Sequence, residues 1–214
     1  MDKTGELFRE DAYLKSCDAI VTAVDEKGIR LNRTVFYPTG GGQPGDVGRL
    51  RAADGTALPA PGTAVTAEID WDRRHRLMRM HTCLHVLCAV VTGDVTGGQV
   101  SDGKGRLDFN LPDGGPDKDK ITEELNRLVS EDHPTGTRWI TDEEMAAQPE
   151  LVRTLSVKPP MGHGRVRLLE IEGVDLQPCG GTHVARTGEI GAVECVKIEN
   201  KGKMNRRFNL AFKS

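Results

Sequence analysis

The chain has 214 residues, of which 37% are hydrophobic and 29% charged, and a net charge of -3. That length suits one domain or two small ones with a real core, and the composition is that of an ordinary soluble protein. A polycation is excluded, and so is a membrane span, because no run approaches the roughly 18 apolar residues it needs.

The opening MDKTGELFREDAYLKSC has no basic-then-apolar signal pattern, so the cytoplasm is the expected location. Up to about Glu68 the sequence predicts strands and turns. AIVTAVDEKGIRL reads as two strands about a turn at Glu26-Lys27-Gly28, and TVFYPTGGGQPGDVG as a β-rich start running into a glycine loop. AADGTALPAPGTAV is turn-rich, with Asp54-Gly55 a hairpin signal. Short strands with frequent turns predict a small β-barrel. Near Ile69 the period changes: Leu77, Met80, Leu84, Leu87 and Val91 recur at helical spacing until Gly93 stops the helix. A second helix is expected around Lys118 to Ser130, with Ile121, Leu125 and Leu128 on one face. A short third begins at Thr141, where Thr141 and Glu144 match a capping box. PDGGPDKD reads as a loop, and RVRLLEI, AVECVKIE and RRFNLAF as extended stretches. The expected fold class is α+β: a small N-terminal β-barrel over residues 1–69, then an α+β domain over residues 70–214.

His81 and His85 are four apart on the predicted helix, so both imidazoles leave one face a turn apart. Cys179 and His183 repeat the spacing in QPCGGTHVARTG. Three nitrogens and a thiolate suit zinc's tetrahedral preference, so one zinc ion per chain is expected. Thr82 stands where a metalloprotease motif has its general-base Glu, and zinc-finger spacing is missing, which argues against peptidase and DNA-binding functions. Four protein ligands would close the site, whereas three would leave a position for water or substrate; spacing leaves both open. Asp175 is either a partner orienting a ligand imidazole or a turn cap. The odd, scattered cysteines argue against a disulfide framework, with Cys83 and Cys88 expected to face the core and Cys17 and Cys195 to lack partners. His75, His133 and His163 read as surface or loop residues. Two basic clusters stand out: Arg73, Arg74, Arg76 and Arg79, and six basic residues against one acidic from Lys197 to Ser214. Each is either a solvated face or a patch for phosphates.

RMHTCLHVL (79–87), CGGTHVARTGEIG (179–191) and RTVFYPTGGGQPGDVG (33–48), in that relation along the chain, resemble the editing domain of alanyl-tRNA synthetase and the freestanding AlaX-type alanyl-tRNA editing proteins. The similarity runs from about Leu31 to the C-terminus. The threonyl-tRNA synthetase editing domain shares a two-His helix and a later Cys-His element but lacks the Gly40-Gly41-Gly42-Gln43 loop. The chain is too short to hold amino-acid activation and tRNA charging as well, so the resemblance implies an editing unit acting in trans. It also implies a small barrel before a zinc-bearing α+β editing domain, with zinc ligands His81, His85, Cys179 and His183. The implied reaction is hydrolysis of the ester joining serine, or glycine, to tRNA(Ala). Thr34 and Gln43 correspond to polar residues near the editing pocket, and Gly40, Gly41 and Gly42 to a loop whose backbone comes close to substrate. Cys83 departs from the small residue usual there.

Serine exceeds alanine by one hydroxyl, which a site that hydrogen-bonds hydroxyls distinguishes by roughly 10⁴ or more; Thr34 and Gln43 suit that task. Lys201, Lys203, Arg206 and Arg207 are candidates for phosphates of the tRNA acceptor arm. No nucleophile triad is legible, so no covalent intermediate is expected. Two alternatives remain: a deacylase for another mischarged tRNA, and a zinc-stabilised tRNA-binding module without catalysis. A monomer is the expected state, since no long heptad pattern is present.

Overall fold

A computed structural model describes residues 3–53, 55–57, 59–112, 115–154 and 164–213. His163, and Asp54 of the expected Asp54-Gly55 hairpin signal, lie outside the described residues. The fold is α+β and dominated by sheet, and the chain divides into two compact units, residues 1–39 with 44–75 and residues 40–43 with 76–214. No helix among the described residues is long and apolar enough to cross a membrane.

The first unit holds β1 (Gly5–Glu6), β2 (Ser16–Asp25), β3 (Gly28–Leu31), β4 (Arg33–Thr34), β5 (Gly48–Ala52) and β6 (Ala64–Ile69). β1 pairs in parallel with β4, and the others form a sheet in the order β3-β2-β6-β5. Alternate residues Ala19 and Val21 on β2, and Val65 and Ala67 on β6, turn inward to make its core with Leu31. Where a small barrel is expected, the described residues form a half-barrel with β3 and β5 as edges. The pairing of β2 explains this: Ser16–Ile20 pair with β6, whereas Val21–Asp25 pair with β3, with a register shift between Val21 and Ala23. Only around Ile20 and Val21 does β2 have neighbours on both sides, and the sheet stays narrow.

The first arginine cluster does not form a patch. Arg74 is fully buried, and it donates to the carbonyls of Ala12 and Val35 and pairs with Asp46, whose side chain is also buried. Arg73 donates to the Gly45 carbonyl at 2.8 Å, Arg76 pairs with Asp102, and Arg79 donates to the Ile190 carbonyl while lying over Phe212. The guanidinium donors are spent on carbonyls and carboxylates of the fold. A charge count along the sequence does not see those acceptors, which lie far away in the chain.

α1 (Trp71–Val90) starts in the first unit and runs through the second. From Leu77 to Cys88 it is buried apart from the half-buried Arg79: Met78, Cys83 and Val86 are as inaccessible as the predicted stripe of Leu77, Met80 and Leu87. Around it the second unit arranges β7 (Asp94–Ser101), β8 (Lys104–Asn110), α2 (Lys118–Ser130), β9 (Thr135–Thr141), α3 (Asp142–Ala146), β10 (Arg165–Ile171), β11 (Asp175–Pro178), β12 (Val193–Asn200) and β13 (Asn205–Phe212). These give two antiparallel sheets, β12-β13-β8-β7 and β11-β10-β9. α2 is capped by Asp117 and buries Ile121, Leu125 and Leu128, while Thr141 and Glu144 close a reciprocal capping box on α3. β9, whose side chains are mostly exposed, is held by seven register partners on β10.

Candidate metal centre

α1 projects His81 and His85 from one face, and β11 delivers the loop that carries Cys179 and His183. One donor atom from each of the four lies within 4.8 Å of all the others. Cys179 Sγ is 3.2 Å from His183 Nε2 and 3.7 Å from His81 Nε2. A tetrahedral ion of zinc's dimensions would set such sulfur–nitrogen edges at about 3.5 Å, so the donor set fits a cation of that size. The imidazoles are buried and Cys179 is half-buried.

Each imidazole is held from behind at Nδ1, which directs Nε2 inward. His81 Nδ1 meets Gln43 Oε1 at 2.8 Å, His85 Nδ1 meets Asp175 Oδ2 at 2.9 Å, and His183 Nδ1 meets Thr82 Oγ1 at 3.2 Å. Metal-binding histidines characteristically give their second nitrogen to such partners. Asp175 is thus the orienting partner rather than a turn cap, and Gln177 Nε2 steadies it by donating to both its oxygens at 2.8 and 2.9 Å. Buried Arg167 donates to the carbonyls of Cys179 at 2.9 Å and Gly181 at 3.0 Å, bracing the ligand loop against β10. The Gly181 N–H points to Cys179 Sγ at 3.4 Å.

Burial pushes the Cys179 thiol up, but the charges of His81, His183 and His85, with the His183 hydrogen bond, outweigh it and hold the thiol well below its usual range. Burial, with the charges of His81 and His85, lowers His183 to about 3 against the pull of the Cys179 thiolate. Burial lowers His85 too, yet Cys179 and Asp175 raise it well above the usual histidine value. A thiolate and a neutral His183 are the protonation states that bind a cation. Cys83, fully buried with its thiol pushed up to about 12 by burial, stands outside the cluster, as does buried Cys88.

Gly40 to Gln43 make a tight turn in which the N–H of Gly40 donates to the Gln43 carbonyl at 3.1 Å and that of Gln43 to the Gly40 carbonyl at 2.9 Å. Thr34 belongs to the first unit, where its hydroxyl accepts from the Phe36 N–H at 3.0 Å. Of the basic segment, Lys203 is exposed, Lys201 lies 3.7 Å from Glu199, Arg206 donates to the carbonyls of Gly202 and Asn205, and Arg207 makes a two-pronged pair with Asp108 at 2.7 and 2.8 Å. His75 stacks on Trp71 and His133 pairs with Glu131. Sequence reasoning missed Thr82, Thr182, Gln177 and Arg167. Thr182 and Gln177 sit inside or beside the Cys-His motif, but nothing local marks Arg167 or pairs Thr82 with a residue 101 positions away.

Residues 166–209 match the family described as "Threonyl and Alanyl tRNA synthetase second additional domain". The alanyl-tRNA editing protein AlaX-M of Methanosarcina acetivorans is 37% identical over 95% of this chain and 97% of its own length. The chain belongs to the alanyl-tRNA editing protein family. The AlaX-M protein of Saccharolobus solfataricus is 31% identical with the same coverage. The alanine–tRNA ligase of Pyrobaculum calidifontis is 33% identical over 93% of this chain, which spans 26% of that longer enzyme. Family membership is thus carried by relatives of matching length, and the ligase contains a similar stretch.

Proposed function

We propose that the chain, an aminoacyl-tRNA deacylase of the alanyl-tRNA editing family, hydrolyses the ester joining serine, or glycine, to tRNA(Ala), in trans and as a cytoplasmic monomer. One zinc ion held by His81, His85, Cys179 and His183 is part of that proposal, and residues 70–214 are its editing domain, following the first domain over residues 1–69. The observation that carries it is the convergence of three imidazoles and one cysteine sulfur within 4.8 Å in a chain of this family. Zinc in such a site supplies a Lewis acid that polarises an ester carbonyl or activates water. The chain's own residues bind and orient. The Nδ1 partners hold three imidazoles with Nε2 inward, and the Gly181 N–H with the Arg167-braced carbonyls fixes the thiolate.

The family motif assigns Thr34 and Gln43 to recognition of the aminoacyl group, whereas the contacts of Gln43 to His81 and Thr182 argue for a role at the metal site instead. A hydroxyl-accepting partner suits serine, because an analogue lacking the hydroxyl leaves it unsatisfied. The backbone of Gly40, Gly41 and Gly42 is assigned to close approach of substrate. Lys201, Lys203, Arg206 and Arg207 are assigned to tRNA phosphates, which position the substrate without reading its sequence; Arg207 is the least available of them, because Asp108 already neutralises it.

The test is deacylation of Ser-tRNA(Ala), Gly-tRNA(Ala) and Ala-tRNA(Ala), with metal assayed on the same preparation. Fast loss of serine or glycine with alanine spared, one zinc per chain, and loss of activity in His81→Ala or on chelation are expected. Hydrolysis of a different mischarged tRNA would move the substrate. Tight tRNA binding with no hydrolysis by zinc-replete protein would make the chain a binding module.

A further inference from the structure

We infer that Gln43 is a positioning residue of the metal site, fixing the tautomer of His81 so that Nε2 keeps its lone pair for the ion. This rests on the metal site proposed above and changes what the glycine loop is for. The orientation of the Gln43 amide follows from Thr182. A backbone N–H can only donate, so the Gln43 atom 3.2 Å from Thr182 N is the oxygen, and the Nε2 group donates to Thr182 Oγ1 at 2.8 Å. The same oxygen lies 2.8 Å from His81 Nδ1. An amide oxygen accepts only, so Nδ1 carries a ring proton, and in the neutral ring this leaves the lone pair on Nε2, which faces Cys179 Sγ at 3.7 Å. The Gln43 side chain is 1% exposed and its oxygen serves two donors. It acts through His81 rather than on the aminoacyl group.

The backbone around this contact is fixed on both sides. Gly41 and Gly42 have φ of 56° and 82°, the positive pair that a two-residue reversal between Gly40 and Gln43 requires. The Gly42 carbonyl accepts from the Val100 N–H of β7 at 2.8 Å, and a Cβ on Gly42 would come within 3.1 Å of the Gly98 carbonyl oxygen. The glycines thus tie Gln43 to the sheet at a set height beside His81. Across the ring, a Cβ at residue 181 would lie 2.3 Å from His81 Cε1 and 2.9 Å from Gln43 Oε1, so the contact also needs Gly181.

The experiment uses the full-length protein, stripped of metal and titrated with zinc against a chromophoric chelator. A parallel nitrogen-15 NMR measurement at alkaline pH reads the His81 tautomer in the metal-free state. Gln43→Ala is expected to weaken zinc binding by about 10–100-fold and to lose the preference for Nδ1–H. Gln43→Glu, which keeps an acceptor and resembles the Asp175 contact on His85, is expected to restore most of the affinity and the tautomer. It also keeps the inference testable if the alanine variant fails to fold. Wild-type zinc affinity and an unchanged Nδ1–H tautomer in Gln43→Ala overturn the inference and return Gln43 to the substrate, where its loss would read as a raised KM. If the wild-type chain itself holds no zinc, the metal proposal fails on its own. The tautomer then decides the inference: Nε2–H at His81 overturns it, and Nδ1–H lost in Gln43→Ala upholds it.

Discussion

Single methyl groups and single charges test the interior most sharply. In Gly181→Ala the added carbon must displace the His81 ring, because 2.3 Å leaves no room for both. Zinc per chain is expected to drop below one, with affinity reduced at least about tenfold, as read by metal analysis after dialysis. Cys83→Ala is the matching control. Its thiol, raised to about 12 by burial, is no donor to the cluster, so metal content should be unchanged. Arg74 is the corresponding probe of the first unit. Arg74→Leu leaves the Asp46 carboxylate buried with the Tyr37 N–H, at 2.7 Å, but without its guanidinium. Removing one partner of such a pair costs about 3–5 kcal/mol, visible as a fall in the urea midpoint.

At the scale of elements, Arg207 on β13 and Asp108 on β8 are register partners as well as a charge pair, so charge and ladder support each other. Burial raises the Asp108 carboxyl, but the Arg207 hydrogen bond and the Arg106 charge outweigh it and hold the carboxyl below its usual value. A carboxyl depressed in the fold binds its proton more readily when unfolded. Its stabilising contribution is therefore complete above the unfolded value of about 3.9 and is lost as pH falls through the folded one. Asp108→Asn should flatten the acid limb of stability against pH, measured by denaturant midpoints from neutral to acid pH. The elements differ in how plainly the sequence carries them. α2 and α3 are legible from caps and spacing because those signals are local. The β7–β8 hairpin is obscured by Gly97 and Gly98, which interrupt its alternation, and β9 has too few buried residues to be recognised without β10. The open edge of the first sheet depends on how β2 divides its partners, which no local pattern specifies. In the candidate metal centre, two spacings of four point to the candidate ligands, whereas the groups that orient them come from 38, 90 and 101 residues away.

The whole molecule carries a net charge of -3, so nucleic acid has no general attraction to it and must rely on local cations. Lys203, exposed in the basic segment, is the cleanest probe. Lys203→Ala should weaken binding of all tRNAs alike and reduce the salt slope of log K by about one, in titrations from low to physiological salt. The path of the chain has a further consequence. Residues 40–43 pack with residues 76–214, although their flanks on both sides pack with each other. A fragment beginning at residue 76 would contain all four candidate ligands but no acceptor for His81 Nδ1. Modular inheritance of the later segment by itself would thus deliver the ligands without the part that aims one of them. The two stretches are bound to travel together through any rearrangement that keeps the site, which makes the smallest transferable unit nearly the entire chain.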